Sequence, residues 1–182
     1  MICGIDEAGR GPIAGPLVMA GVVLKNDLVG LKDSKKLTEK RREELFEIIK
    51  ENSIYKIVEI DNKIIDEKGL SFAIRFGLKT ILETIKADRY IFDGNSKFGI
   101  ENLETLIKGD DKVAEISAAS ILAKVTRDRF MKQQAKLYPE YGFEKHKGYI
   151  TKFHIEKILK FGYCDIHRKS YKLKALQQRS LF

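Results

Sequence analysis

At 182 residues, 43% hydrophobic and 33% charged, the chain is long enough to bury one core without disulfide or metal staples and too apolar for a disordered segment. Its apolar runs break at glycine, proline or charge well short of the ~18 residues a membrane span needs. Met1 leads straight into a first strand, and Cys3 and Cys164 lack metal-ligand spacing, so a cytoplasmic protein with reduced thiols and no leader is expected. The net charge of +8 is concentrated at the C-terminal end, where residues 146–182 hold nine Lys or Arg against two acids. That segment, which also holds His146, His154 and His167, is either an electrostatic footprint for nucleic-acid phosphates or a solvated lysine-rich face.

Residues 2–6 and 17–24 read as strands joined by a Gly/Pro-rich turn, an antiparallel hairpin. Thr38 opens a helix to about Glu51, with Leu45, Ile48 and Ile49 at helical spacing. A third strand covers 54–60, and a second helix covers about 70–87 with a broad apolar face. Residues 89–94 form a strand that ends in Asp93, and 103–107 another, stopped by Gly109. The run from about 113 to 136 is the strongest helix, and its small residues Ser117, Ala118, Ala119 and Ser120 allow close approach to a sheet or a site. Pro139 and Gly142 break it, 143–149 is a basic loop, and a last helix runs from Thr151, as N-cap, to about Phe161. No repeat or linker divides the chain, so one domain spanning 1–182 is expected, with a basic C-terminal region at 146–175 and a mobile tail at 176–182.

The opening residues 2–12 (Ile-Cys-Gly-Ile-Asp-Glu-Ala-Gly-Arg-Gly-Pro) deliver adjacent carboxylates, Asp6 and Glu7, into a glycine-bracketed arginine. Successive strand side chains face opposite sides, so these two share a site only if the strand ends or bends there, which Gly9 and Gly11 permit. The plainer meaning is a turn with solvated acids. Asp93 and Asp110, at a strand end or beside glycine, bring the acids to four. Oxygen donors without a thiolate or histidine cluster suit Mg²⁺ or Mn²⁺ better than Zn²⁺. A pair of such ions about 3.5–4 Å apart serves in-line phosphoryl displacement.

Six segments, in order and spacing, resemble bacterial ribonuclease HII along nearly the whole chain: residues 4–12, 33–37 (Asp-Ser-Lys-Lys-Leu), 92–95 (Phe-Asp-Gly-Asn), 108–110 (Lys-Gly-Asp), 116–125 and 146–149 (His-Lys-Gly-Tyr). The resemblance implies a ribonuclease H-like α/β fold, with a mixed central sheet flanked by helices and a C-terminal helical region, 146–175, that grips a duplex. It implies a metal site of Asp6, Glu7, Asp93 and Asp110 holding Mg²⁺ or Mn²⁺. Asp111 is the alternative fourth ligand, and Asp110 is preferred because it completes the Lys-Gly-Asp pattern. It further implies that the backbone of Gly9, Arg10 and Gly11 reads the ribose 2′-hydroxyl, that Tyr149 stacks on the sugar of the next nucleotide, and that Ser34, Lys35 and Lys36 position phosphates.

The implied reaction is hydrolysis of the RNA strand of RNA/DNA hybrids and incision 5′ of single ribonucleotides in duplex DNA, giving 3′-hydroxyl and 5′-phosphate ends. Water is the nucleophile and no side chain becomes covalently attached. The histidines are available to contact phosphate or carry protons, with no catalytic role assigned. Gln178, Leu181 and Phe182 resemble the short peptide that docks on the bacterial sliding clamp, the alternatives being a tail packed on the body or disordered. A monomer is expected.

Three rivals remain at this level. A strand followed by Gly9, Gly11 and Gly15 superficially matches a dinucleotide-binding loop, but that fingerprint needs a helix after the glycines. A non-catalytic nucleic-acid-binding protein would use the basic charge and Tyr149 yet leave four acids unexplained. Ribonuclease HIII shares the fold, but Asp6 lies five residues from Met1, with no room for the N-terminal domain expected there.

Overall fold

Strands β1 (Ile2–Ala8) and β2 (Leu17–Leu24) pair antiparallel, Gly4 opposite Val22 and Glu7 opposite Met19, as two apolar runs joined by a Gly/Pro-rich turn predict. β3 (Ser53–Ile60) adds antiparallel to β2, while β4 (Arg89–Asp93) and β5 (Glu104–Leu106) extend the other side in parallel. The result is one mixed sheet in the order β3-β2-β1-β4-β5, in a computed structural model that describes residues 1–31 and 37–174.

Side chains alternate across the pleat and sort the core into two layers. Leu17 and Met19 of β2 join Cys3, Ile5 and Phe92 beneath α3 (Leu70–Thr84), which contributes Ile74, Leu78 and Ile81. Val18, Ala20 and Val22 face the opposite way, onto α1 (Glu39–Glu51) and α4 (Ala114–Leu137) through Leu45, Ile49, Ala118 and Leu122. Each large apolar side chain so buried contributes about 1.5–3 kcal/mol relative to exposure. β2 is therefore apolar on both faces, which fits a strand inside the sheet with helices on either side. Two helices begin where their caps predict: the Thr38 hydroxyl accepts the Arg41 N–H at 3.2 Å, and Thr151 accepts the His154 N–H at 3.1 Å at the start of α6 (Lys152–Phe161).

Other boundaries differ from expectation. β1 runs two residues beyond the expected end at Asp6, because its ladder to β2 continues to Ala8 opposite Val18. A short helix α2 (Asn62–Lys68) follows β3, capped by Asp61, whose carboxylate accepts the Lys63 N–H at 2.7 Å. α3 stops at Thr84, since Ile85 turns to extended backbone. The expected basic loop at 143–149 begins as a helical turn, α5 (Phe143–His146), bracketed by left-handed Gly142 and Lys147. Among the described residues of 146–174, regular helix is confined to the end of α5, α6 and Lys174; the rest returns irregularly and packs Ile166 and Leu173 in one cluster with Ile13, Met131 and Phe143. The glycines at 9, 11 and 15 lead into β2 and not into a helix, which removes the dinucleotide reading. No helix among the described residues is long and apolar enough to cross a membrane.

Candidate active site

The sheet forks at the end of β1. Its parallel ladder to β4 ends at Ile5 opposite Phe92, whereas its antiparallel ladder to β2 continues through Asp6 and Glu7. The two acids thus stay in regular strand, which neither ends nor bends between them, so the condition set from the strand periodicity is not met by β1 itself. What opens a site is the end of β4, whose last residue is Asp93.

Close packing of α4 supplies the back wall. A Cβ on Gly4 would lie 2.3 Å from the backbone of Glu115 and Ile116, so only glycine lets the first turn of α4 meet β1 here. Two residues along a strand advance about 6.6 Å and four or five along a helix about 6–7.5 Å. The same face therefore presents Asp6 to Ser120, whose hydroxyl is among the groups that partly offset the rise in the Asp6 pKa.

Burial raises Asp6 well above the usual carboxylate range, and the charges of Glu7 and Asp93 raise it further, against hydrogen bonds from the Glu7 N–H (2.8 Å) and Ser120. Burial raises Glu7 as well; Arg10, whose Nε lies 2.5 Å from Glu7 Oε1, pulls it back, and Asp93 adds to the rise. Asp110 joins this group through its backbone, its N–H donating to Asp93 Oδ2 at 3.3 Å. It stands in a single 3-10 turn, Gly109–Asp111, and is 2% exposed, whereas Asp111 is exposed. Of the two alternatives for a fourth acid, Asp110 is the inward one.

These residues suit a hard divalent cation. All donors are carboxylate oxygens, two of the acids are pushed toward protonation by burial and like charge, and Glu7 Oε2 is buried with no hydrogen-bond partner among the described residues. Among the described residues, no three His, Cys, Asp or Glu side chains converge on one point as a ready-made cage.

A loop of residues 9–16 borders the acids and is pinned from beneath by two buried arginines. Arg127 donates to the carbonyls of Ala14 (2.8 Å), Pro16 (3.0 Å) and Lys147 (2.8 Å). Arg168 donates to those of Gly9 (2.7 Å), Arg10 (3.1 Å) and Gly15 (2.9 Å). Burial, then the charge of Arg168, lowers Arg127 to about 10, which leaves it cationic at neutral pH. Gly9 adopts φ +99°, and a Cβ there would lie 2.3 Å from Arg127 Nε. Gly11 differs: nothing lies within 4 Å of an added Cβ, so its small size leaves room on the open side of the loop.

Glu7, residues 9–11, Ser120 and Tyr149 line one cleft of about 400 Å³, with Arg42 and Lys124 at its walls. Tyr149 is 44% exposed, so it is not a core aromatic, and the Arg127 guanidinium lies 5.7 Å from its ring centre. The Arg10 side chain turns toward Glu7 and lies 5.8 Å from the rings of both Phe92 and Phe98. Ser34, Lys35 and Lys36, like Gln178, Leu181 and Phe182, lie outside the described residues. His154 and His167 are buried, so the phosphate-contact option raised from sequence has no exposed ring behind it at these two positions.

Sequence reasoning missed the cleft roles of Ser120, Arg42 and Lys124 and the buttressing by Arg127 and Arg168. Ser120 and Lys124, one turn apart within the 116–125 segment, carried a signal; the buried arginines look like surface cations until their carbonyl partners are known.

Comparison with known proteins agrees with this architecture. The family model described as Ribonuclease HII matches residues 3–174. Curated proteins named Ribonuclease HII are 59% identical over 181 residues in Sulfurovum sp. (strain NBC37-1), covering 100% of this chain and 96% of the relative, and 58% identical in Aliarcobacter butzleri, covering 99% and 95%. The RNase HII of a PCNA:RNase HII complex from Archaeoglobus fulgidus superposes with TM-score 0.83 at 28% identity, covering 96% of each chain. A Bst-RNase HIII in complex with Mn²⁺ shares the fold, with TM-score 0.73 at 18% identity over 100% of this chain and 70% of that one. The chain belongs to the ribonuclease HII family and is an endoribonuclease acting on RNA/DNA hybrids.

Proposed function

We propose that the protein hydrolyses the RNA strand of RNA/DNA hybrids and incises duplex DNA on the 5′ side of a single ribonucleotide, leaving 3′-hydroxyl and 5′-phosphate ends. The observation that carries this reading is the meeting, in one neighbourhood, of an acid group part-buried in the fold (Asp6, Glu7, Asp93, with Asp110 beside it) and an arginine-pinned glycine loop facing an exposed tyrosine. A non-catalytic binding protein has no use for acids held so close to phosphates.

Asp6, Glu7, Asp93 and Asp110 would hold the Mg²⁺ or Mn²⁺ ions. When bound, such ions supply positive charge to the scissile phosphate and lower the pKa of water toward neutrality. The chain's own residues do the rest. Arg127 and Arg168 fix the 9–16 loop before substrate arrives, and the open side of Gly11 admits the ribose edge, so that the backbone of residues 9–11 meets a 2′-hydroxyl. Tyr149 offers its exposed ring to the next sugar, and Arg42 and Lys124 offer cations to the flanking phosphates, a role Ser34, Lys35 and Lys36 share.

Product analysis tests this. A labelled duplex with one ribonucleotide, incubated with Mg²⁺ or Mn²⁺, is expected to yield one 3′-end that a polymerase extends directly and one 5′-end that a ligase accepts, with no product from all-DNA duplex. A 2′,3′-cyclic phosphate end would overturn it. The A. fulgidus relative is held in complex with PCNA, a sliding clamp; by the same logic the segment with Gln178, Leu181 and Phe182 docks on the bacterial clamp. Deleting residues 178–182 is expected to abolish clamp pull-down, and unchanged capture would contradict it.

A further inference from the structure

Three histidines unused by the proposed chemistry cluster behind the cleft, two of them joined in a hydrogen-bonded chain and the third stacked on it. His154 Nδ1 lies 2.9 Å from the carbonyl oxygen of Tyr149, so that nitrogen carries the proton and Nε2 is left as an acceptor. His167 Nδ1 accepts the Cys164 N–H at 2.9 Å, so its proton is on Nε2, which lies 3.0 Å from His154 Nε2. The only consistent direction runs from the Cys164 N–H through His167 and His154 to the Tyr149 carbonyl. His146 stacks on His154 at 4.2 Å between ring centres, with Nε2 2.6 Å from the Tyr141 carbonyl and Nδ1 accepting the Gly148 N–H at 3.1 Å. All three rings are neutral in this pattern, since a second proton on His154 would set two N–H groups against each other.

The surroundings support neutrality. Phe143 packs its ring on His154 and His167, and Tyr141 and Tyr163 pack on His167. The charged groups bearing on the cluster are Glu144 and Lys147 beside His146 and Lys169 beside His167, while Lys63, Asp66, Glu67 and Asp165 share the surface hollow that His167 borders. Burial lowers both His154 and His167 to about 4.

We infer that His154, backed by His167 and stacked on His146, is a positioning residue that holds the Tyr149 backbone, and hence its exposed ring, in place for the substrate sugar. The chain of bonds ends on the carbonyl of a cleft residue, and the residue after His167 is Arg168, which holds the Gly9 and Arg10 carbonyls. One buried unit thereby fixes both sides of the cleft relative to each other. The inference rests on the reading that Tyr149 meets the substrate.

The test is a double-mutant cycle on the full chain, reading KM and kcat separately for a single-ribonucleotide duplex. His154→Leu removes the donor to Tyr149 and is expected to raise KM roughly ten-fold, more than it lowers kcat, while His154→Asn, whose amide N–H stands near the lost Nδ1–H, recovers most of the loss. In a Tyr149→Ala background, itself impaired, the His154→Leu penalty on KM is expected to vanish. An undiminished penalty there overturns the positioning role. A Tyr149→Ala protein as active as the parent overturns instead the reading of Tyr149 on which the inference rests. If His154→Leu does not fold, ¹⁵N NMR of the unaltered protein at neutral pH decides: Nδ1–H on His154 and Nε2–H on His167 are expected, and the opposite tautomers or an imidazolium would refute the chain.

Discussion

Asp6 is held where its charge is least favoured, buried in regular strand between Glu7 and Asp93. Because its folded pKa lies above the unfolded value, the folded protein binds the extra proton more readily, and ionising this carboxylate lowers stability, a cost recovered as pH falls through the folded pKa. Such a cost fits a group kept for cation binding and not for the fold. The glycines divide in the same way. Gly9→Ala forces a side chain into φ +99° and against Arg127, and is expected to destabilise by about 1–3 kcal/mol from the backbone alone. Gly11→Ala meets nothing in the fold, so its stability in urea should stay within about 0.5 kcal/mol. The same variant should lose roughly 10- to 100-fold in ribonucleotide incision. The acids and glycines were legible because chemistry restricts which residue types serve. The choice of Asp110 over Asp111 rested on the Lys-Gly-Asp pattern alone, because its inward turn depends on the left-handed backbone of Lys108 and on Asp93 accepting its N–H.

At the scale of elements, strands and long helices followed from their periodicity and caps, with Thr38 and Thr151 capping as expected. What escaped was short or set by a distant partner. α2 is seven residues starting at one Asp cap, and β1 continues past Asp6 only because β2 lies beside it. The turn at Phe143–His146 looked like a basic loop because its role is to bring His146 over His154. That histidine cluster carries a stability prediction. His154 and His167 fall from 6.5 to about 4, so the unfolded chain binds more protons than the folded one between those values. Stability is fully present above the unfolded pKa and should fall as pH drops from about 6.5 to 4, by up to ~1.4 kcal/mol per pH unit for each histidine. Protonation of Asp6 and Glu7 acts in the opposite sense, so urea titrations of Asp6→Asn across this range should show the histidine slope more cleanly. A flat profile there would mean that the rings are not buried neutral.

Across the whole molecule, the C-terminal return is as much part of the site as the opening strand. Arg168 reaches carbonyls of residues about 150 positions earlier, and Arg127 ties the same loop to Lys147. The basic composition of 146–182 suggested a phosphate surface, yet Arg168 is wholly buried, so part of that charge organises the protein itself. Arg168→Met would leave several buried carbonyls unpaired and is expected to cost about 3 kcal/mol or more in denaturant unfolding. Arg168→Lys should rescue little, because an ammonium does not reproduce the planar fork that serves three carbonyls. The most direct test of the central claim is single-turnover incision of a one-ribonucleotide duplex by Asp6→Asn, with the bound fraction measured alongside. If the buried acids hold the ions that drive hydrolysis, incision falls on the order of 10²–10⁴-fold while binding persists; incision at nearly the parent rate would contradict the account.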